Sequence, residues 1–307
     1  MSLRVGISVS AGFFASPTIH TALIVGGVVA IVAAIVGVFT VMRGQSFAGH
    51  ALADLSAVGG SGAFLLGISQ LSGFVLAGLI AATLMEAIGL RRLRGRDVST
   101  GIVLALGLGV TALFLYLDTT IGNSSSAAIS VLFGSLFAVN QAVIPIVVAL
   151  GLCALVIIGL FYRWLLMEAL EPDLARARGI PVRLMGFVFM IALALAVVLS
   201  AMTVGAILST ALLIGPAATA LVLTRRAGRA IAVAAGLGLF ATWAGCFLSY
   251  ESYYWSGPSG NWPVSFCIVA LVFLVYLGVR AGSWLVRRRG QARILHGAGG
   301  VACSPRS

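Results

Sequence analysis

The sequence predicts an all-α polytopic membrane protein, and its composition and charge pattern are the observations that predict this class. Of the 307 residues, 61% are hydrophobic and 9% are charged, whereas soluble domains have about half apolar and about a quarter charged residues. The mean hydropathy is +1.14. The net charge of +11 results from 19 arginines and 8 acidic residues. They cluster between apolar runs, as the positive-inside rule predicts, so we infer no nucleic-acid partner.

The apolar runs are long enough to cross the bilayer as about nine transmembrane helices. An N-terminus outside and a C-terminus in the cytoplasm would gather the arginines of the connections on one face and leave only Arg4 on the other. The predicted spans cover residues 20–42, 47–69, 72–90, 98–117, 143–163, 184–202, 204–223, 230–250 and 264–286.

These spans form one transmembrane domain, residues 1–286, which a basic cytoplasmic tail follows at residues 287–307. We expect this tail to be disordered. Residues 129–141 are half apolar and too short to cross, which suits a re-entrant or interfacial helix.

The second predicted span carries a histidine and an aspartate, His50 and Asp54, within a run of small residues. At a spacing of four they lie on one face of a helix. If Arg43 marks the membrane surface, His50 lies roughly 10 Å deep and Asp54 roughly 16 Å deep, near the midplane. A carboxylate at that depth costs on the order of 3 kcal/mol, which indicates a functional site. Imidazole and carboxylate together are half of a plausible divalent-metal site. A pair that only fixes helix packing is the alternative.

Two further acidic residues are weaker candidates for the path of an ion. Glu86 lies near the end of the third span, where it can pair with an arginine, and Asp118 begins the polar segment after the fourth span. The four cysteines form no CxxC motif, so we expect no thiolate metal site.

The longest cytoplasmic connection, residues 163–183, mixes acidic and basic residues. Glu171, Pro172 and Asp173 can start a short helix, which would end at Gly179 ahead of Pro181. Such a helix can dock in a groove of a soluble partner, or the connection can simply be a solvated loop.

At this point the chain resembles the permease subunit of the ABC transporters that import zinc or manganese. The resemblance covers most of the chain and rests on five blocks in the family's order. In the first block the family has aspartate and then histidine four residues later, and here His50 and Asp54 occupy these positions exchanged. The blocks are FTVMRGQSFAGHALADLSAVGGSGAFLLG, VLFGSLFAVN, EPDLARARGIPVRLM, VGAILSTALLIGPAATALVLTRR and SYYWSGPSG.

The resemblance implies a multi-pass protein of the bacterial inner membrane that receives a metal ion from an extracytoplasmic binding protein. A homodimer is expected, which would bring two His50/Asp54 pairs toward one path. We expect zinc, with manganese or iron as the alternative, and no permanently bound cofactor. The third block resembles the coupling helix that docks on the ATPase subunit, between residues 168 and 180. The residues expected to form this contact are Glu171, Pro172, Asp173, Ala175, Arg178 and Gly179.

The chain has no phosphate-binding GxxxxGK[ST] loop, so ATP hydrolysis needs a separate subunit and we expect a transport subunit rather than an enzyme. Three other classes fit the sequence less well. A permease for a larger metal chelate does not match the blocks. An intramembrane zinc metalloenzyme would show an HExxH motif, but Ala51 follows His50. A secondary carrier would show inverted repeats, and the sequence shows no convincing repeat.

Overall fold

The structure is a computed structural model that describes residues 16–89, 96–121, 126–134, 136–224, 226–256 and 262–298. Within these ranges the chain forms twelve α-helices, two short 3₁₀ turns and no strand. The helices are α1 (Pro17–Met42), α2 (Ser46–Leu65), α3 (Gln70–Gly89), α4 (Arg96–Ile121), α5 (Ser126–Phe133), α6 (Ile144–Leu160), α7 (Tyr162–Leu170), α8 (Pro172–Ala177), α9 (Val182–Val204), α10 (Ala206–Leu223), α11 (Ala227–Ser256) and α12 (Val264–Ala298).

Each of the nine predicted spans corresponds mainly to one long helix, and the polytopic all-α class is confirmed. The span predicted at 143–163 runs through α6 into α7, and the span predicted at 204–223 begins at the last residue of α9. Seven helices of the described part, α1, α3, α6, α9, α10, α11 and α12, are long and apolar enough to cross a membrane. The other two predicted spans correspond to α2 and to α4. Within α4, residues 104–120 form an apolar helix that is shorter than a full span. Nine spans, and the side on which each terminus lies, therefore stay predictions.

The centre of the bundle is formed by α1 and α9, the two most enclosed of the long apolar helices. Helix α1 packs against α6, α9, α10 and α11, while α9 also packs against α2, α3 and α6. Large side chains such as Phe39 and Phe189 are completely buried between them. Close packing of this kind holds membrane helices together, since lipid is as apolar as their side chains.

Helices α9 and α10 form a hairpin with a single connecting residue, Gly205. Leu193 of α9 and Leu213 of α10 both approach Gly49 of α2, so the chain has turned back between them. Gly205 has φ 97° and ψ 154°, a conformation that is essentially restricted to glycine. The end of α5 packs on this turn, and a Cβ atom on Gly205 would overlap the carbonyl oxygen of Leu132.

Replacing Gly205 by alanine is therefore expected to destabilise the protein by about 3 kcal/mol, from backbone strain together with overpacking. The measurement is the free energy of unfolding of the purified protein in mixed micelles. Gly236→Ala on α11 is the matched control, because a Cβ atom there would meet nothing within 4 Å. Equal stability of the two variants would contradict the expected strain at the turn.

The structure shows helix in part of the short segment predicted at 129–141 and in part of the predicted tail. Whether the short segment is re-entrant or interfacial stays a prediction. The segment forms α5 and then the 3₁₀ turns Leu136–Ala138 and Gln141–Val143. The tail begins as a helix, because α12 continues through residue 287 to Ala298. Arginine, alanine and leucine have high helix propensity, which explains this continuation. Residues 299–307 lie outside the described part.

Candidate functional site

Helix α2 places His50 and Asp54 one turn apart. Asp54 lies about 12 Å along the axis from the first residue of α2, close to the middle of the helix. The helix is surrounded by α3, α4, α9 and α10. This enclosure explains why α2 can cross the bundle although it carries polar residues, since a helix that touches other helices need not be apolar on every face.

The two side chains lie side by side but have different exposure. His50 Nε2 is 3.6 Å from Asp54 Oδ2, and the side chains are 41% and 7% exposed, respectively. Two ligand atoms that each lie about 2.1 Å from one ion are roughly 3.0 to 3.6 Å apart, for angles between about 90° and 120°. The pair can therefore hold one ion with little movement, and the exposed imidazole leaves it open to further ligands.

A third polar side chain, Thr210 of α10, contacts the imidazole ring of His50. Its Oγ1 lies 3.1 Å from His50 Nδ1. Sequence reasoning missed this residue, although two adjacent hydroxyl residues, Ser209 and Thr210, in an apolar helix were a visible signal. The contact ties the imidazole of α2 to α10, across 160 positions of the chain.

C-terminal to Asp54, small residues hold α2 close to α3. A Cβ atom on Gly59 would overlap the carbonyl oxygen of Gly73, and the reverse is also true. A Cβ atom on Gly60 would meet the ring of Phe74 at 2.5 Å. The two backbones thus touch, which fixes the position of the helix that carries the candidate ligands.

The two weaker candidates do not join the His50/Asp54 pair. Glu86 is buried beside Gly186 of α9, and Asp118 is buried on α4. Among the residues that the structure describes, no group of three or more His, Cys, Asp or Glu side chains could hold a metal ion. A single chain therefore supplies two such ligands at this point.

The predicted coupling segment forms the six-residue helix α8. Glu171 occupies the N-cap position without a capping hydrogen bond from its side chain, and Asp173 lies in the first turn. Gly179 ends the segment with φ 75°. The predicted contact residues at 171, 172, 173, 178 and 179 are all exposed. Ala175 is different, because it is 0% exposed. It packs α8 onto the rest of the chain, and the docking role of the six residues stays a prediction.

A buried ion pair connects the segment before α8 to the end of α1. Both terminal guanidinium nitrogens of Arg43 donate to the carboxylate of Glu168, each at 3.0 Å. The side chains are 6% and 9% exposed, and the guanidinium lies over the ring of Phe189 at 4.6 Å. Arg43 was expected to mark the membrane surface, and its partner 125 positions away was not predicted.

Comparisons with known proteins agree on one family. A family model described as the ABC 3 transport family matches residues 15–280. The manganese import system permease protein ScaB of Streptococcus gordonii is 31% identical over 259 residues, which is 84% of this chain and 89% of that protein. The manganese transport system membrane protein MntC of Halalkalibacterium halodurans is 32% identical over 241 residues, 78% of this chain and 82% of that protein.

Other relatives carry a different metal in their names or extend the likeness to a solved structure. The chelated iron transport system membrane protein YfeC of Yersinia pestis is 29% identical and covers 83% of both chains. The solved structure of PsaBC from Streptococcus pneumoniae in complex with Fab matches with a TM-score of 0.76 and 29% identity. This match covers 89% of the present chain and 94% of that chain.

Proposed function

The chain belongs to the ABC 3 transport family as the permease of a metal ABC importer, and from this premise we propose that manganese is the ion it carries. It is a transport subunit rather than an enzyme, and a multi-pass protein of the bacterial inner membrane. The names of the relatives support the choice of manganese. A carboxylate and an imidazole side by side on α2 support the presence of an ion site, in a chain that matches this family over residues 15–280.

Manganese replaces zinc, the ion that the sequence had suggested. The reported relatives are named for manganese or for iron, and none of their names supports zinc. An imidazole nitrogen alone favours zinc slightly, whereas a carboxylate is one of the oxygen ligands that suit manganese, so the ligand types are compatible with manganese. A site without a thiolate also binds weakly enough to release its ion, as a transport path requires.

The proposed path lies between two copies of the chain. Two donors in one chain are too few for a closed site, since divalent manganese takes oxygen and nitrogen ligands in larger numbers. The 41% exposure of His50 leaves room for the same pair from a second copy, which a two-fold axis would bring to the same point. The binding protein would deliver the ion from outside to this pair of sites.

The proposed contact with the ATPase is the exposed face of α8. Glu171, Asp173 and Arg178 present charges of both signs there, which favours a specific polar interface with a soluble partner. Closure of the ATPase subunits on ATP would move α8, and the Arg43–Glu168 pair would carry that movement to the end of α1. Helix α2 starts three residues after Arg43, so the movement would reach the helix of the candidate site.

The experiment is uptake of radioactive manganese in a bacterial strain that lacks its own importers and expresses the chain with its ATPase and binding protein. We expect saturable uptake that unlabelled manganese abolishes and that an equal concentration of zinc reduces less than twofold. Cells without the permease are the control. Uptake of zinc or iron in place of manganese would overturn the assignment of the ion, and absence of any metal uptake would overturn the function.

A further inference from the structure

We propose that Thr210 is a positioning residue for the transported ion, because its hydroxyl accepts the Nδ1 proton of His50 and so leaves the Nε2 lone pair for the metal. The inference rests on the proposed function, since it concerns how the His50/Asp54 pair presents itself to an ion. It adds a residue on a different helix to that pair.

The two nitrogens of the His50 imidazole have different roles. A neutral histidine carries one proton, and the nitrogen without it is the one that can bind a metal. Nδ1 lies 3.1 Å from the Thr210 hydroxyl, and Nε2 lies 3.6 Å from the carboxylate of Asp54. With the proton on Nδ1, donated to Thr210, both the Nε2 lone pair and Asp54 Oδ2 are free to bind one ion. Metal-binding histidines regularly donate their other N–H group in this way.

The partner of the Thr210 hydroxyl sets it apart from its neighbours. Hydroxyl groups inside membrane helices commonly bond to a carbonyl oxygen of their own helix. Ser209 does so with Ala206 at 2.8 Å, and Thr219 does so with Gly215 at 2.7 Å. Thr210, on the same helix α10, instead contacts a side chain of α2. The orientation of the imidazole therefore depends on how α10 lies against α2.

The test compares Thr210→Val, which keeps the shape and removes the hydroxyl, with Thr210→Ser, which keeps the hydroxyl. Thr219→Val on the same helix is the matched control, because its hydroxyl bonds only its own backbone. The readout is the dissociation constant for Mn²⁺ alone, measured on the full-length chain purified with its ATPase subunit. The loss of the electron paramagnetic resonance signal of free Mn²⁺ reports binding without any transport step.

We expect Thr210→Val to weaken Mn²⁺ binding about 10- to 100-fold, the range found when the hydrogen-bond partner of a metal-binding histidine is removed. Thr210→Ser is expected to bind within about twofold of the wild type, and Thr219→Val to be unchanged. Unaltered binding in Thr210→Val, equal losses in both valine variants, or no rescue by serine would each overturn the proposal. Should the valine variant fail to reach the membrane, Thr210→Ala gives the same comparison.

The proposal and the function on which it rests fail in different ways. If wild-type protein shows no saturable Mn²⁺ binding, or if Asp54→Asn binds as the wild type does, the proposed site itself is wrong. If the wild type binds, Asp54→Asn loses binding and Thr210→Val equals the wild type, only the role of Thr210 is wrong.

Discussion

Asparagine in place of Asp54 is expected to reduce the initial rate of manganese uptake at least about a hundredfold, at equal abundance of the permease in the membrane. Removing even a group that only orients a metal ligand costs about 10- to 100-fold, so loss of a charged ligand costs more. The amide would keep the size of the side chain but lose the negative charge that attracts a divalent cation. The expected loss is therefore electrostatic rather than steric.

Asp118→Asn is the informative control for this variant. Both aspartates are buried, since the whole residues Asp54 and Asp118 are 5% and 6% exposed. Asp118, however, lies on α4 outside the His50/Asp54 pair. For the Asp118 variant, the initial rate of uptake is expected to depend on the Mn²⁺ concentration as it does for the wild type. Wild-type uptake by Asp54→Asn, or equal losses in both variants, would show that the mid-helix pair is a packing feature and that the ion passes elsewhere.

Local sequence patterns were sufficient to predict the helices and the main pair of side chains. Each apolar run lies on a helix because length and composition are properties of one segment. His50 and Asp54 meet because a spacing of four positions puts two side chains on one face of any helix. The close approach of Gly59 to Gly73 was suggested by small residues near the pair, although the partner helix was not.

Contacts between distant segments could not be predicted in the same way. Thr210 and Glu168 reach their partners over 160 and 125 positions, and no periodicity within one helix encodes such a pairing. The burial of Ala175 within an otherwise exposed helix likewise depends on how α8 packs against α7 and α9. The choice between zinc and manganese was out of reach for a chemical reason, because both ions accept imidazole and carboxylate ligands.

The second large effect, a loss of stability, is expected at the Arg43–Glu168 pair, because both charges are buried away from water. The carboxylate accepts two parallel hydrogen bonds, and the guanidinium stacks on Phe189. Bidentate geometry and an aromatic face both favour arginine over lysine at this place. A buried pair adds little net stability over a well-packed apolar pair, but removing one partner leaves an uncompensated buried charge.

Arg43→Ala and Glu168→Ala are therefore each expected to destabilise the protein by about 3 to 5 kcal/mol, measured as the free energy of unfolding in mixed micelles. Replacing both residues together, as Arg43→Met with Glu168→Leu, should recover most of that loss because no charge is left unpaired. Arg176→Ala is the control, because its partner Asp173 is 94% exposed. That change should cost less than about 0.5 kcal/mol.

A double variant as unstable as either alanine variant would contradict the argument from unpaired charge. Recovered stability without recovered uptake would instead indicate that the ion pair itself transmits movement from α8 to α2.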